Sequence, residues 1–154
     1  MSTSIFDAIR KGELETVKNL LSQNPEYVKQ KDARGSTPLL LATYYGNEQV
    51  TKAILEIPQD IDTQDASGNT ALMGVCFKGY DAIAKLLINY GANVNVKNYN
   101  GATALIYATM FKKINIIKLL IEHGADKTIK DDSGKTALDH AIMQGMKEAI
   151  DLLQ

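Results

Sequence analysis

Hydrophobic residues recur along this chain at the spacing of short amphipathic helices. In one type of segment two apolar residues stand three positions apart, as Leu39 and Ala42 do. In a second type, which follows a few residues later, they occupy positions i, i+3 and i+4, as Val50, Ala53 and Ile54 do. Both spacings place the apolar side chains on one face of an α-helix. The pattern therefore predicts pairs of short helices that hide their apolar stripes only by stacking on neighbouring pairs.

The same pattern returns every 33 residues, and four glycines mark this period. Each glycine has an Asp or Asn three residues before it and a Thr two residues after it, and these frames cover residues 32–39, 65–72, 98–105 and 131–138. Further columns at this spacing are Val50, Ile83, Ile116 and Ala149, and Leu39, Leu72, Leu105 and Leu138. Four such registers do not arise by chance, so the chain is a tandem repeat.

Each repeat begins with residues that favour a turn followed by a helix. Asp or Asn followed by Gly at the fourth position is typical of a turn in which glycine takes positive φ. The Thr that follows can cap a helix through its hydroxyl, and Pro38 suits the first helical position. The sequence therefore predicts a short hairpin-like loop before the first helix of each repeat.

This frame resembles the ankyrin repeat, whose pattern is roughly D-x-x-G-x-T-P-L-H-x-A-A-x-x-G, then I/V-V-x-L-L and G-A-D. Gly91-Ala92-Asn93 and Gly124-Ala125-Asp126 match the last element. The resemblance, to small bacterial-type members of the family, covers residues 32–154 and extends weakly to residues 4–31, where an extra residue fits a loop at Asn24-Pro25. It implies an all-α ankyrin-repeat solenoid in one domain: a capping helix pair (1–31), full repeats (32–64, 65–97 and 98–130) and a truncated C-terminal capping repeat (131–154).

The chain departs from the family frame at three places. The His after T-P-L is replaced throughout, by Leu40, Met73, Ile106 and Asp139, so we expect stacking to depend more on apolar packing. Lys112 stands in a column that is otherwise Gly46, Gly79 and Gly145, and a left-handed conformation there would cost about 1 kcal/mol. Pro58-Gln59-Asp60 replaces G-A-D, which predicts a different turn at that position.

Composition excludes several classes of function and partner. The 17 basic and 18 acidic residues nearly balance, and only two of the basic residues are Arg, which argues against nucleic acid as a partner. No apolar run approaches the ~20 residues of a membrane span. The segment Met1–Asp7 lacks the basic and apolar regions of a secretory signal, and the single Cys76 cannot form an internal disulfide. These features predict a cytoplasmic protein.

Candidate chemistry is sparse. No glycine-rich nucleotide motif is present, and the only histidines are His123 and His140. Asp139 and His140 form the one possible dyad, but neighbouring residues in a helix point about 100° apart. We interpret His123 as a residue at a helix end and Cys76 as a packed thiol in a small buried slot shared with Thr43, Thr109 and Ile142. We therefore predict neither catalysis nor a metal or cofactor, with an Asp139/His140 enzyme as a remote alternative.

The resemblance implies that a partner protein touches the hairpin tips and the exposed ends of the first helices, which line a concave groove. The tip candidates are Arg34, Ser67, Tyr99 and Asn100, and the helix-end candidates are Tyr44, Tyr45, Phe77, Lys78, Met110, Phe111 and Met143. Tyr44, Phe77, Met110 and Met143 are expected to stack one above another as an apolar stripe, which is typical of an interaction site. Alternatively, these side chains fold back and thicken the core.

A column of lysines is expected beside that stripe and bears on the choice of partner. Lys31, Lys97 and Lys130 share one register position, which Gln64 interrupts. They favour an unidentified protein partner with an acidic segment, unless they are simply solvated surface charges. The predicted function is non-catalytic protein–protein interaction; the alternative is a regulatory or accessory subunit of a cytoplasmic enzyme, which small members of the family suggest could be stress- or peroxide-related. A monomer is expected, with a homodimer through the stripe as the alternative.

Overall fold

The computed structural model describes residues 4–154, which contain ten α-helices, one 3₁₀-helix and no strand. Met1, Ser2 and Thr3, with which the argument against a secretory signal begins, lie outside these residues. The helices are α1 (Ile5–Lys11), α2 (Leu14–Gln23), α3 (Pro38–Tyr45), α4 (Glu48–Leu55), α5 (Ala71–Lys78), α6 (Asp81–Asn89), α7 (Ala104–Met110), α8 (Ile114–Glu122), α9 (Ala137–Gln144) and α10 (Lys147–Leu153). The 3₁₀-helix, Pro25–Lys29, occupies the place where a loop was expected after Asn24.

The helices form five antiparallel pairs that stack in chain order. The first helices of the pairs, α1, α3, α5, α7 and α9, pack on one another as one row, and α2, α4, α6, α8 and α10 pack as a second row. Apolar side chains between the rows form a continuous core, in which Ile54, Leu87 and Leu120 are fully buried. The predicted all-α solenoid of stacked helix pairs is confirmed.

The four hairpins before α3, α5, α7 and α9 close as the turn chemistry predicts. In the second hairpin the amide of Asp65 donates to the carbonyl of Asn69 at 2.8 Å. The Asp65 carboxylate accepts from the amides of Ser67 and Asn69, and Gly68 has φ of 81°. A Cβ on Gly68 would lie 2.6 Å from the amide nitrogen of Tyr99, so only glycine fits there. The turn and the stacking of the next hairpin thus depend on the same residue.

The predicted caps are present at both ends of the first helices. The hydroxyls of Thr37, Thr70, Thr103 and Thr136 each accept from the amide three residues later. At the other end, the glycine-column position is left-handed, and Lys112 adopts φ of 59° there. The expected conformational strain at Lys112 is therefore a feature of the structure.

The departure from G-A-D at Pro58-Gln59-Asp60 does produce a different turn. The Gln59 side-chain nitrogen donates to the carbonyl of Ile54 at 2.7 Å and to that of Ile57 at 3.0 Å. Carbonyls at the end of a helix have no partner within the helix. Gln59 therefore satisfies the end of α4 with a side chain, where later repeats use a glycine turn.

The residues that replace the family's histidine have three different environments. Met73 and Ile106 are almost completely buried, and Leu40 is partly buried against the core. Asp139 is exposed, and its carboxylate accepts from the amide of Thr136, which forms a capping box at the start of α9. Apolar packing thus replaces the histidine at three of these positions, as expected, and a helix cap replaces it at Asp139.

One expectation about the core is wrong. Thr43, Cys76 and Thr109 are buried, but Ile142, which was assigned to the same slot, is 56% exposed. The first three lie between neighbouring first helices, whereas α9 has α7 on one side only within residues 4–154. The slot is buried by the following helix pair, so its burial cannot extend to the last described pair.

Candidate partner-binding groove

The first helices and the hairpins line a concave cavity of about 690 Å³. Eight of the eleven predicted binding residues line it: Arg34, Tyr44, Tyr45, Ser67, Phe77, Lys78, Met110 and Phe111. The other three, Tyr99, Asn100 and Met143, lie outside this cavity. The structure therefore concentrates most of the predicted positions in the groove formed by α3, α5 and α7.

We call the apolar residues that line this cavity at the helix ends the groove strip: Tyr44, Tyr45, Phe77, Met110 and Phe111. Its members are in large part open to solvent, with Tyr44 55% and Phe77 51% exposed, while Phe111 is partly buried. Met143, beyond the strip, is also exposed. Four of these side chains are about half exposed or more: Tyr44, Tyr45, Phe77 and Met143. The alternative in which the side chains fold back and thicken the core is therefore wrong for these four.

Three contacts at the groove strip run diagonally from one repeat to the next. The Phe77 ring lies edge-on to the Phe111 ring with centroids 4.6 Å apart. The Lys78 ammonium lies 4.6 Å from the centre of the Tyr44 ring, a cation–π contact. The side chain of Gln144 donates to the carbonyl of Met110 at 3.0 Å. Each contact joins residue i to residue i+34, whereas the rings of Tyr44 and Phe77, which are 33 residues apart, form no ring pair with each other in the described part of the chain.

The hairpin tips are linked to one another by backbone hydrogen bonds. The amide of Tyr99 donates to the carbonyl of Ser67 at 3.2 Å, and that of Asp132 donates to the carbonyl of Asn100 at 3.0 Å. The Tyr99 side chain is 67% exposed. Tyr99 and Asn100 thus belong to a second exposed surface along the tips, beside the cavity and separate from it.

The lysines expected in a column beside the stripe are not among the charged residues of the groove. Lys31, Lys97 and Lys130 do not line the cavity, and Lys31 lines a separate small depression with Val28 and Gln59. The expected lysine column beside the stripe is therefore wrong, because this register position precedes the hairpin and lies away from the helix ends. The cations that do line the cavity are Arg10, Arg34 and Lys78, together with the carboxylates of Asp32 and Asp65.

The candidate dyad resolves into two unrelated contacts. Asp139 caps α9, while the His140 ring nitrogen Nε2 lies 2.8 Å from Oδ2 of Asp131. Burial, the largest single influence, raises the pKa of Asp131, but hydrogen bonds from Ser133, His140 and the Lys135 amide together outweigh it and hold the pKa well below its usual range. This largely buried pair links the last hairpin to α9. The sequence analysis missed it because its members are nine residues apart.

The remaining candidate chemical groups are structural. Cys76 is fully buried, and burial raises the pKa of its thiol far above the usual range, which favours the protonated thiol and fits a packed residue. His123 follows the end of α8, where its Nδ1 lies 2.9 Å from the carbonyl of Leu119. Within residues 4–154 no three His, Cys, Asp or Glu side chains are grouped closely enough to hold a metal ion.

Sequence reasoning also missed Gly74, which lines the cavity from the middle of α5. The sequence could have drawn attention to it, because a glycine within a helical pattern costs about 1 kcal/mol relative to alanine and therefore suggests a special role. Tyr107, from α7, lines the cavity beside it.

Comparison with known proteins identifies the class of protein that this fold and groove define. The family model described as ankyrin repeats, in three copies, matches residues 5–98 and again residues 95–154. The chain therefore belongs to the ankyrin-repeat family, whose members are generally protein–protein interaction modules. No curated protein matches the chain. In the part of the chain that the structure describes, none of the helices has both the length and the apolar character needed to cross a bilayer.

Proposed function

We propose that this protein binds a partner protein through its concave groove and performs no catalysis itself. The observation that carries the proposal is the exposed groove strip, which lines a cavity of about 690 Å³ in the middle of the stack. Exposed aromatic side chains around a cavity are the usual anchors of a protein interface. The two neighbouring rings Phe77 and Phe111 support each other and present a preformed surface, which lowers the entropic cost of binding.

The charge of the groove bears on the predicted acidic partner segment. Arg10 is paired with Asp7 and Asp32. Arg34 and Lys78 line the cavity and form no ion pair among residues 4–154. Carboxylates of a partner would therefore be attracted to Arg34 and Lys78, which now support the prediction in place of the lysine column.

The other parts of the proposal are cytoplasmic location and a monomeric state. A single cysteine, buried and without a disulfide partner, suits a reducing compartment.

If the partner is an enzyme that the protein regulates, adding the protein must change that enzyme's activity. If instead a second copy occupies the groove, the mass in solution must double as concentration rises and must return to that of the monomer in the triple variant described next.

The test is a pull-down from the native source with the wild type and the triple variant Tyr44→Ala/Phe77→Ala/Phe111→Ala. The matched control is Tyr90→Ala, which removes an exposed aromatic ring that does not line the cavity. Circular dichroism first establishes that all three proteins keep their helices. We expect specific prey to be retained by wild type and by Tyr90→Ala and lost by the triple variant. Prey retained by the folded triple variant would place the binding surface outside the groove.

A further inference from the structure

The floor of the groove contains a recess at Gly74. Gly74 lies in the interior of α5, and apart from its two chain neighbours and the backbone of its own helix, no heavy atom of the described residues lies within 4 Å of the position that a Cβ would take there. The equivalent positions of the other repeats carry Leu41, Tyr107 and His140. Gly74 is therefore the one of these four positions that has no side chain, and it lines the cavity that α3, α5 and α7 border.

Nine residues before each of these positions, the first residue of the hairpin is Asp or Asn. One side-chain oxygen of this residue binds the amides of its own hairpin, and the second polar atom is available to another group. In the third repeat, Nδ2 of Asn98 donates to the hydroxyl of Tyr107 at 2.8 Å. In the last repeat, Oδ2 of Asp131 pairs with His140 at 2.8 Å. The residue nine positions later thus completes the pair in both repeats.

The first hairpin obtains its partner from another helix. The position nine residues after Asp32 is Leu41, which has no polar group, and Oδ2 of Asp32 instead lies 3.5 Å from the guanidinium of Arg10. In three of the four hairpins, both polar side-chain atoms of the first residue therefore have a partner among the described residues.

Asp65 is the exception. Its Oδ1 accepts from the amides of Ser67 and Asn69 at 2.8 and 2.9 Å, while its Oδ2 receives no hydrogen bond and no ion pair from any residue between 4 and 154. Its partner position is Gly74, which has no side chain. Asp65 and Gly74 line the same cavity. The equivalent residues of two other repeats are in hydrogen-bond contact, so the Asp65 carboxylate is expected to face the position that lacks a side chain.

We infer that the recess at Gly74 binds an arginine side chain of the partner protein and that Asp65 is its counter-ion. This inference rests on the proposed function and names the group that the groove recognises. A guanidinium presents paired N–H donors that match a carboxylate, and its planar face stacks on aromatic rings. Phe77 and Tyr107 line the cavity from the helices on which the recess opens, and they supply such rings. Arg34 and Lys78 favour carboxylates on either side of that arginine, so the recognised segment carries an arginine among acidic residues.

The first experiment measures binding of a single side chain, with the complete protein labelled with ¹⁵N. The probe is N-acetyl-L-arginine N-methylamide, and the comparison compounds are the corresponding derivatives of lysine and glutamate. We expect the arginine probe to shift the amide signals of residues 65–69 and of α5 in a saturable manner, the lysine probe to bind more weakly and the glutamate probe to leave these signals unchanged. Failure of the arginine probe to shift them, or equal affinity for the lysine probe, would overturn the assignment.

Three variants identify the contacts. Asp65→Asn is expected to weaken binding of the arginine probe about fivefold, because it removes the charge of a half-exposed ion pair. Asp131→Asn is the matched control: it makes the same change in a carboxylate that already has His140, and it should leave the affinity unchanged. Gly74→His places an imidazole beside Asp65 as His140 lies beside Asp131, and it should abolish binding. Equal effects of Asp65→Asn and Asp131→Asn, or full binding by Gly74→His, would contradict the inference.

The same variants separate this inference from the proposed function. If the folded triple variant loses its prey while Asp65→Asn and Gly74→His retain it in full, the groove is the interface and the arginine site is wrong. If the triple variant retains its prey, the proposed function itself fails, whatever the probe does.

Discussion

Phe77 and Phe111 form an edge-to-face pair, 4.6 Å between centroids and inclined at 83°, that connects two repeats across the floor of the groove. Aromatic pairs of this geometry contribute about 0.5–1.5 kcal/mol beyond their burial. We predict a coupling free energy of about 0.5–1 kcal/mol in a double-mutant cycle of Phe77→Ala and Phe111→Ala, measured by urea unfolding. The comparison cycle pairs Tyr44→Ala with Phe111→Ala, whose rings are not in contact, and should be additive. Additive behaviour of the Phe77/Phe111 cycle would show that the ring contact does not contribute in solution.

Replacing Lys112 by glycine should stabilise the fold. The backbone at Lys112 has φ of 59°, a conformation that glycine adopts without the steric cost of a Cβ. We expect Lys112→Gly to raise the free energy of unfolding by about 0.5–1 kcal/mol in chemical denaturation. The matched control is Lys113→Gly at the next residue, where φ is −95° and glycine relieves no strain. A stability of Lys112→Gly equal to or below that of Lys113→Gly would argue against strain at this position.

Asp131 should make stability depend on pH in the acid range. Its lowered pKa means that the folded state favours the ionised carboxylate, so the unfolded state binds more protons as pH falls. The stabilisation is complete above the unfolded pKa, about 3.9, and is lost as pH decreases through the lower folded pKa. Wild type should exceed Asp131→Asn by about 1 kcal/mol at pH 5–7, and this difference should shrink below about pH 4.

Denaturant titrations of both proteins between neutral pH and about pH 2.5 would measure this dependence. Asn is a suitable replacement because Asn98 occupies the equivalent place in the preceding hairpin and accepts the same amides. A difference that stays constant over the whole range would exclude ionisation of Asp131 as its source.

Gly74→Ala should stabilise α5. Gly74 lies within the helix and has no neighbouring atom within 4 Å of its Cβ position, so a methyl group meets no obstacle among the described residues. The gain in helix propensity is about 1 kcal/mol, which thermal unfolding would detect as a higher Tm. Gly68→Ala is the opposite control, because φ is 81° and the added Cβ would meet the Tyr99 backbone. A loss of stability in Gly74→Ala would mean that the recess is not open space.

Cys76 should be unreactive in the folded protein. Its thiol is fully buried in the core, and burial raises its pKa, so little thiolate is present near neutral pH. Titration with a thiol-reactive disulfide such as DTNB should give no rapid reaction in buffer and one thiol per chain after unfolding in guanidinium chloride. Rapid reaction of the native protein would mean that α5 opens readily and would contradict its placement in the core.

Local features of this fold were predictable because residues close in sequence determine them. Gly68 marks a turn, Thr70 caps the helix that follows, and Lys112 interrupts a glycine column, and each has the predicted conformation. Ile142 was misjudged because its burial depends on a following helix pair and not on its own repeat. Repetition predicts what neighbouring repeats share, but it fails where a repeat has only one neighbour.

The groove was predictable in outline and not in detail. The helix-end column correctly indicated exposed side chains such as Tyr44 and Phe77, but the lysine column was assigned to the wrong surface. The ion pair between Arg10 and Asp32 joins residues of two different helix pairs. Comparing the repeats position by position cannot reveal such a pair, because the two residues occupy different positions of the repeat. The missing contact between Asp65 and position 74 is recognisable only from the structure, because the contacts Asn98–Tyr107 and Asp131–His140 show which partner the other hairpins have.

The diagonal contacts of the groove strip also connect partner binding with bending of the stack of helix pairs. Each contact, such as that between Phe77 and Phe111, crosses one boundary between helix pairs on the concave side. On that side the distance between neighbouring helices changes when the superhelix straightens or curls, so bending must part or compress these side chains. A side chain inserted beside them would set the local pitch of the superhelix. In the proposed complex, the rings that contact the partner would therefore also limit how far the stack of repeats can straighten.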